Sequence, residues 1–270
     1  MPQHHRLAKK HNLQSQIIHI NGFQLQTFAN QAYIQNRTLF QNNDQAQPSL
    51  DEFHIYIEGD GHAWKSLHVP SKDPTPKVPI MLDLMTLDTV PSIYVGRPCY
   101  YSLKNDQQKN DSCNVLLWTF ARYGEEVLRT LTQAYKQLGE QYQSLVLIGH
   151  SGGGTLAMLI APRLSKTQTV ITLAGNLDTD SWTQHHQYSP LHLSLNPAKQ
   201  PRLPQHIQQF HYSGGADKNV LPVFITKVAN REKAQHKILD GYDHTCCWDQ
   251  VWPAILDSIM SNTVQRNQGE

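Results

Sequence analysis

Gly149-His150-Ser151-Gly152-Gly153 sets one serine among residues with little or no side chain. The five match G-x-S-x-G, where a strand turns sharply into a helix and holds a hydroxyl clear of the sheet. A serine displayed in this way can attack an acyl carbon. The pentapeptide alone is a weak signal, because glycine and serine are common. Its setting strengthens it: the apolar run Leu145-Val146-Leu147-Ile148 precedes it, and a helix-spaced apolar segment, "TLAMLIAP", follows. The turn forces the serine backbone into a strained region, so the positions two before and two after must carry almost no side chain. The following helix also points its positive end at the hydroxyl. Two rival readings remain at this point. One is a plain glycine-rich turn; the other is a phosphate-binding loop, but no Gly-Lys-Ser/Thr follows to support it.

A serine hydroxyl is a poor nucleophile at neutral pH and needs a base, and the base needs an orienting acid. Downstream, "SGGADKNVLP" offers Asp217 in a tight turn after a strand-like run, and "GYDHTCCW" offers His244 just before the last helical pattern. The chain order Ser151, Asp217, His244 is the one expected when all three sit on loops at one edge of a parallel sheet. Asp178 and Asp180 compete for the acid; Asp240 and Asp243 lie beside the histidine, with Asp243 too near in sequence to bridge easily to its ring. His62, His185 and His186 compete for the base, but only His244 falls where the order places one. An oxyanion hole completes such a site, with backbone N–H groups aimed where charge develops. Gly152, directly after the serine, is one expected donor; Asp60 in "IEGDGHAW" is the other, with Gly61 second and a simple glycine turn as the alternative.

These residues need a scaffold, and the chain reads as one. Short apolar runs recur, each followed by a helical pattern, the signature of βα units in a mostly parallel sheet. "QIIHINGFQLQTFA" differs: two strand-like runs flank Asn21-Gly22, a strong hairpin signal. Strands are predicted at 53–59, 90–96, 144–149, 169–175, 206–213 and 236–242. Helices are predicted from Ile80, over 121–141, after Ser151, after Pro222 and from Trp248. In the last, Trp248, Val251, Trp252, Ile255, Leu256, Ile259 and Met260 keep the i, i+3, i+4, i+7 spacing. Residues 176–205 have no steady period and four prolines, and read as a small cap or lid within a single domain spanning 1–270.

Composition narrows the class. With 39% hydrophobic and 17% charged residues over 270 positions, the chain is globular and large enough for a substantial core. A net charge of +1 provides no general attraction for nucleic acid or an anionic membrane. The basic cluster in residues 1–11 reads as a solvated tail. No run approaches the length of a membrane span and no apolar h-region follows the basic start, so the chain as given reads as soluble and cytoplasmic; a periplasmic or exported protein is the alternative if a leader was removed. No zinc-type spacing appears among the histidines and cysteines, and no metal or cofactor is expected. Cys99 and Cys113 flank a polar loop that a disulfide could close, and Cys246-Cys247 are adjacent; spacing favours four free thiols.

Together these pieces resemble the α/β-hydrolase fold over nearly the whole chain. The strings "YIEGDGHAW", "DPTP", "YVGRPCYY", "WTFARYGEEV", "GHSGGG", "AGNLDTDSWT" and "SLNPA" are similar to a group of bacterial α/β-hydrolase-like proteins of largely uncharacterised substrate. The resemblance implies a Ser151–His244–Asp217 triad and the Asp60 and Gly152 donors. It also implies a Cys99–Cys113 pair, since relatives of this type are often exported or lipid-anchored. Where familiar esterases carry His-Gly at the hole, this chain has Glu58-Gly59. The expected fold is α/β: a mostly parallel central sheet with an N-terminal antiparallel hairpin, helices on both faces and a short cap insertion. The expected activity is serine hydrolysis of a small-molecule acyl substrate, a carboxylic ester first and a peptide or amide second. A lyase or transferase using the same turn, and an inactive binding protein on the same fold, are the other readings.

Overall fold

The computed structural model describes residues 3–41, 50–66, 68–101 and 112–267. In chain order the first elements are α1 (Gln3–Lys10), β1 (Gln14–Ile20), β2 (Phe23–Ala29), α2 (Gln31–Gln41) and β3 (Leu50–Ile57). A small hairpin follows, β4 (Trp64–Ser66) and β5 (Val69–Pro70), then α3 (Ile80–Met85), β6 (Ser92–Val95) and α4 (Glu125–Leu138). The central unit is β7 (Tyr142–His150), α5 (Gly152–Ile160) and β8 (Thr167–Leu173). The chain continues through α6 (Thr179–His185), β9 (Gln208–Gly214), α7 (Pro222–Glu232), β10 (Gln235–Leu239) and α8 (Trp248–Asn267).

Eight strands form one sheet in the order β1-β2-β6-β3-β7-β8-β9-β10. The β1–β2 and β2–β6 pairings are antiparallel, and all those from β6 to β10 are parallel. Asn21 and Gly22 turn the β1–β2 hairpin with φ of 50° and 81°, the double left-handed geometry of a type I′ turn. The near-continuous apolar character of the central strands follows from covering both faces. On β7, Leu145 and Leu147 point into a core with α4, α5 and α7, while Val146 and Ile148 point into a second with α3 and α8. The same alternation sends Phe53, Ile55 and Ile57 of β3 to the first core and Tyr56 to the second. Trp248, Trp252, Ile255, Leu256 and Ile259 of α8 are buried as the spacing requires; the Met260 side chain lies outside the described residues.

Three sequence expectations are corrected. Residues 3–10, read as a solvated tail, form α1, with His4 and Ala8 buried. The His4 ring packs edge-on against Tyr101 at 4.8 Å, and burial followed by His5 lowers its pKa to about 4, so this part of the basic cluster carries no charge at neutral pH. The four free thiols that spacing favoured are corrected, and the pair that the resemblance implied is present: Cys99 is bonded to Cys113 at a Cα separation of 5.6 Å. The fold brings the exit of β6 beside the approach to α4, a proximity that spacing does not encode. Residues 102–111, most of the polar loop between Cys99 and Cys113, lie outside the described residues. Closing a loop of this length contributes about 3 kcal/mol in the chain-entropy picture. Thirdly, α2 occupies a segment with no predicted element. Asn30 Oδ1 accepts from Tyr33 N–H at its start, and the Tyr33 ring stacks on Phe53 at 5.2 Å.

At the end of the sheet away from Ser151, His54 on β3 is wholly buried between two carboxylates. Its Nδ1 lies 2.6 Å from Asp88 Oδ2 and its Nε2 lies 3.0 Å from Glu52 Oε1. Burial opposes the charged ring, but Asp88 and Glu52 outweigh it and raise the pKa from 6.5 to about 9. A raised histidine pKa stabilises the fold fully below pH 6.5, and that contribution is lost as pH rises through about 9. The melting temperature should therefore fall between pH 7 and pH 10. His54→Asn should remove most of that slope; an unchanged slope in the variant rules out this ion triad as its source.

Candidate active site

Parallel pairing fixes where the carboxyl ends of the strands fall. Ile57 of β3 lies opposite Gly149 of β7, and His150 opposite Leu173 of β8. The segments after β3, β7, β8, β9 and β10 thus leave the sheet at the same edge. They carry Glu58–Asp60, Ser151, Asn176–Asp178, Asp217 and His244, in that order.

Ser151 has φ 53° and ψ −122°, the strained conformation expected of a serine at a strand-to-helix elbow. A β-carbon at Gly149 would overlap the Gly153 carbonyl, and one at Gly153 would overlap the Ile57 carbonyl, which explains why both flanking positions lack one. The Ser151 amide donates to the Leu173 carbonyl at 3.0 Å, and the Ser151 carbonyl accepts from Gly154 and Asn176, both at 3.0 Å. The backbone is over-determined, and the half-buried side chain is left to face solvent.

Three side chains from distant parts of the sequence converge here. His244 Nε2 is 3.0 Å from Ser151 Oγ, and His244 Nδ1 is 2.8 Å from Asp217 Oδ2. The Asp217 side chain is fully buried, and its other oxygen accepts from Asn219 N–H at 2.7 Å and Val220 N–H at 2.9 Å. The backbone of His244 is pinned as well: its carbonyl lies 2.7 Å from His150 Nε2 and accepts from Trp248 Nε1 at 3.3 Å. Burial, then the neighbouring His244, lowers the His150 pKa to about 3, so this ring is neutral and donates from Nε2.

The rival residues have other partners. Asp178 caps α6, accepting from Ser181 and Asn196, and Asp180 pairs with Lys199. His186 Nε2 meets the Asn219 carbonyl at 2.7 Å, His185 packs on Phe224, and His62 is exposed. The segment 176–205 is fastened to the body through Leu195 N–H to the Tyr123 carbonyl and Arg231 Nη2 to the Pro197 carbonyl.

Asp60 and Gly152, the two expected donors, lie against each other: a β-carbon at Gly152 would overlap the Asp60 carboxylate and the Tyr123 hydroxyl. Gly61 has φ +61° and packs instead under Pro74 and Pro76. The Asp60 carboxylate accepts from Arg97 Nη1 at 2.8 Å, Arg122 Nη1 at 3.0 Å and Tyr123 Oη at 2.6 Å. Burial would raise this carboxyl, but the two guanidinium groups and Tyr123 outweigh it and hold its pKa at about 2. Glu58, buried beside it, accepts from Gly59 N–H and Met81 N–H, yet burial still raises its pKa to about 7. Sequence reasoning did not single out Arg97, Tyr100, Arg122, Tyr123 or His150. The available signal was charged residues inside otherwise apolar strings, "YVGRPCYY" and "WTFARYGEEV".

Known structures place this architecture. An esterase from Pyrococcus furiosus superposes with a TM-score of 0.57 at 11% identity, over 96% of this chain and 95% of that one. An α/β serine hydrolase homologue from Coxiella burnetii gives 0.51 at 10% identity, over 92% and 96%. A puromycin hydrolase gives 0.57 at 13% identity, over 94% of this chain and 39% of that one. At these identities the likeness establishes the α/β-hydrolase fold. No curated protein matches the sequence. A family model for the PGAP1-like alpha/beta domain matches residues 97–238, more than half of the chain and including the serine elbow and Asp217. The chain belongs to the PGAP1-like alpha/beta domain family, within the α/β-hydrolase superfamily.

Proposed function

We propose that this chain is a serine hydrolase that cleaves an acyl bond, a carboxylic ester in the first instance, and that it needs no cofactor to do so. The observation that carries the reading is the hydrogen-bonded relay from Ser151 Oγ to His244 Nε2 and from His244 Nδ1 to Asp217. His244 takes the hydroxyl proton as Ser151 Oγ bonds to the substrate carbonyl carbon. Asp217 fixes the ring with its proton on Nδ1 and stabilises the imidazolium. The oxyanion is held by the amides of Gly152 and Asp60. Collapse of the tetrahedral intermediate breaks the acyl–oxygen bond, and the leaving alcohol departs with the proton from Nε2. Water then attacks the acyl-enzyme by the same route and releases the acid and the free serine.

An ester is the first choice because it is the least demanding acyl substrate. The esterase and the puromycin hydrolase share this fold, which keeps an amide as the second reading. We read the chain as one catalytic domain in which 176–205 forms a small cap over a modest acyl site. The Cys99–Cys113 disulfide supports the exported placement over the cytoplasmic one. No helix among the described residues is long and apolar enough to cross a membrane.

A fluorophosphonate probe separates the enzyme from an inactive binding protein on the same fold. The probe should attach to one residue, Ser151, and peptide mapping of the adduct locates it. An unlabelled serine in folded protein overturns the proposal.

A further inference from the structure

We propose that Asp60, Arg97, Arg122 and Tyr123 form a clamp that positions the second oxyanion donor, so that the side chain of Asp60 acts through its own backbone amide. The inference rests on the serine-hydrolase reading above and adds positioning residues to it.

The clamp holds the turn Glu58-Gly59-Asp60 at three places. The Asp60 carboxylate takes three donors, from Arg97, Arg122 and Tyr123, at 2.8, 3.0 and 2.6 Å. Arg97 reaches back with Nη2 to the Glu58 carbonyl at 2.9 Å, and the Tyr100 hydroxyl donates to the Asp60 carbonyl at 3.0 Å. The Gly59–Asp60 peptide, which carries the donor N–H, lies between these anchored carbonyls. Its orientation is therefore set before any substrate arrives, and preorganisation of this kind is what makes an oxyanion hole effective.

Charge supplies a second reason for the arrangement. A carboxylate packed on Gly152 would by itself oppose negative charge growing on the substrate oxygen. Two arginines, 3% and 5% exposed, more than cancel it and leave the trio with net positive charge beside the hole. Burying three charges is costly, and an apolar filling of similar volume often stabilises a fold as well or better. A role in fold stability alone accounts poorly for such a cluster packed directly on the nucleophile elbow. The Cys99–Cys113 bond joins the two arms: Arg97 and Tyr100 flank Cys99, and Arg122 and Tyr123 follow Cys113.

The test compares Tyr123→Phe and Asp60→Asn with the parent and with Ser151→Ala, using a p-nitrophenyl short-chain ester, an alkyl boronic acid and the carboxylic acid product. Boronate bonds to the serine as a tetrahedral adduct with an oxygen in the hole, whereas the product does not. Tyr123→Phe should lower kcat about tenfold and Asp60→Asn about a hundredfold, with KM within about twofold. Boronate affinity should fall by the same factors while product inhibition stays constant, a split that general loosening of the fold does not produce. Tyr123→Phe removes one oxygen and leaves both guanidinium groups paired, so it decides the matter if Asp60→Asn does not fold. Hydrolysis lost in Ser151→Ala but intact in folded Tyr123→Phe, with undiminished boronate affinity, overturns the clamp alone. Hydrolysis that survives Ser151→Ala overturns the hydrolase reading and the clamp with it.

Discussion

Replacing Ser151 by alanine is expected to lower kcat for an activated short-chain ester by roughly 10⁵- to 10⁶-fold, with KM little changed. The size of the loss follows from what the substitution removes and what it keeps. Alanine retains the β-carbon, so the strain at φ 53° is unaltered, and the Ser151 amide and carbonyl keep their bonds to Leu173, Gly154 and Asn176. Only the hydroxyl goes, together with its 3.0 Å contact to His244 Nε2. A substrate would still meet the amides proposed for the hole and any binding surface, which is why a residual acceleration over water of roughly 10³–10⁴ is expected to remain. Steady-state kinetics beside a melting curve checks this. A folded variant that loses less than about tenfold shows that another group is the nucleophile.

Much of this site was legible because its parts follow local rules. The elbow combines an apolar strand, a serine between glycines and an apolar helix, and each is visible in a short window. The order of Ser151, Asp217 and His244 then follows from parallel topology, since every βα loop must leave at the same edge. The register Ile57 to Gly149 and His150 to Leu173 is the physical form of that rule. The hairpin at Asn21-Gly22 was equally plain, because few other dipeptides tolerate two consecutive positive φ values.

The parts that stayed hidden depend on contacts between distant segments. Arg97 and Arg122 look like surface charges until the fold places both on one carboxylate. The Cys99–Cys113 pair was implied by the family resemblance but not by residue spacing, because loop closure depends on where β6 ends relative to α4. The tail misled for a related reason. His4 counts as basic in a string of letters, but packed against Tyr101 it is a neutral aromatic surface. The segment now seen as α2 has only a ragged apolar period, and it is held by Tyr33 stacking on Phe53 of the neighbouring strand.

Asp217→Asn is the sharper test of the orienting acid, with an expected loss of about 10⁴ in kcat and little loss of stability. The structure specifies how the replacement would fail. Asp217 Oδ1 is committed to two backbone donors, Asn219 N–H and Val220 N–H, at 2.7 and 2.9 Å. In the variant only the amide oxygen can accept from both, so it must take that position. The amide NH₂ is then forced to the other side, where it faces His244 Nδ1. A ring facing a donor must accept at Nδ1 and carry its proton on Nε2. In that tautomer Nε2 cannot receive a proton from Ser151 Oγ, and the relay runs backwards although no atom has moved far. Asp178→Asn provides the contrast. That carboxylate caps α6 through Ser181, and asparagine caps a helix about as well as aspartate, so stability should change by less than about 1 kcal/mol and turnover should stay within a few-fold. Equal kinetic damage in the two variants would remove Asp217 from the triad, because the tautomer argument applies to it alone.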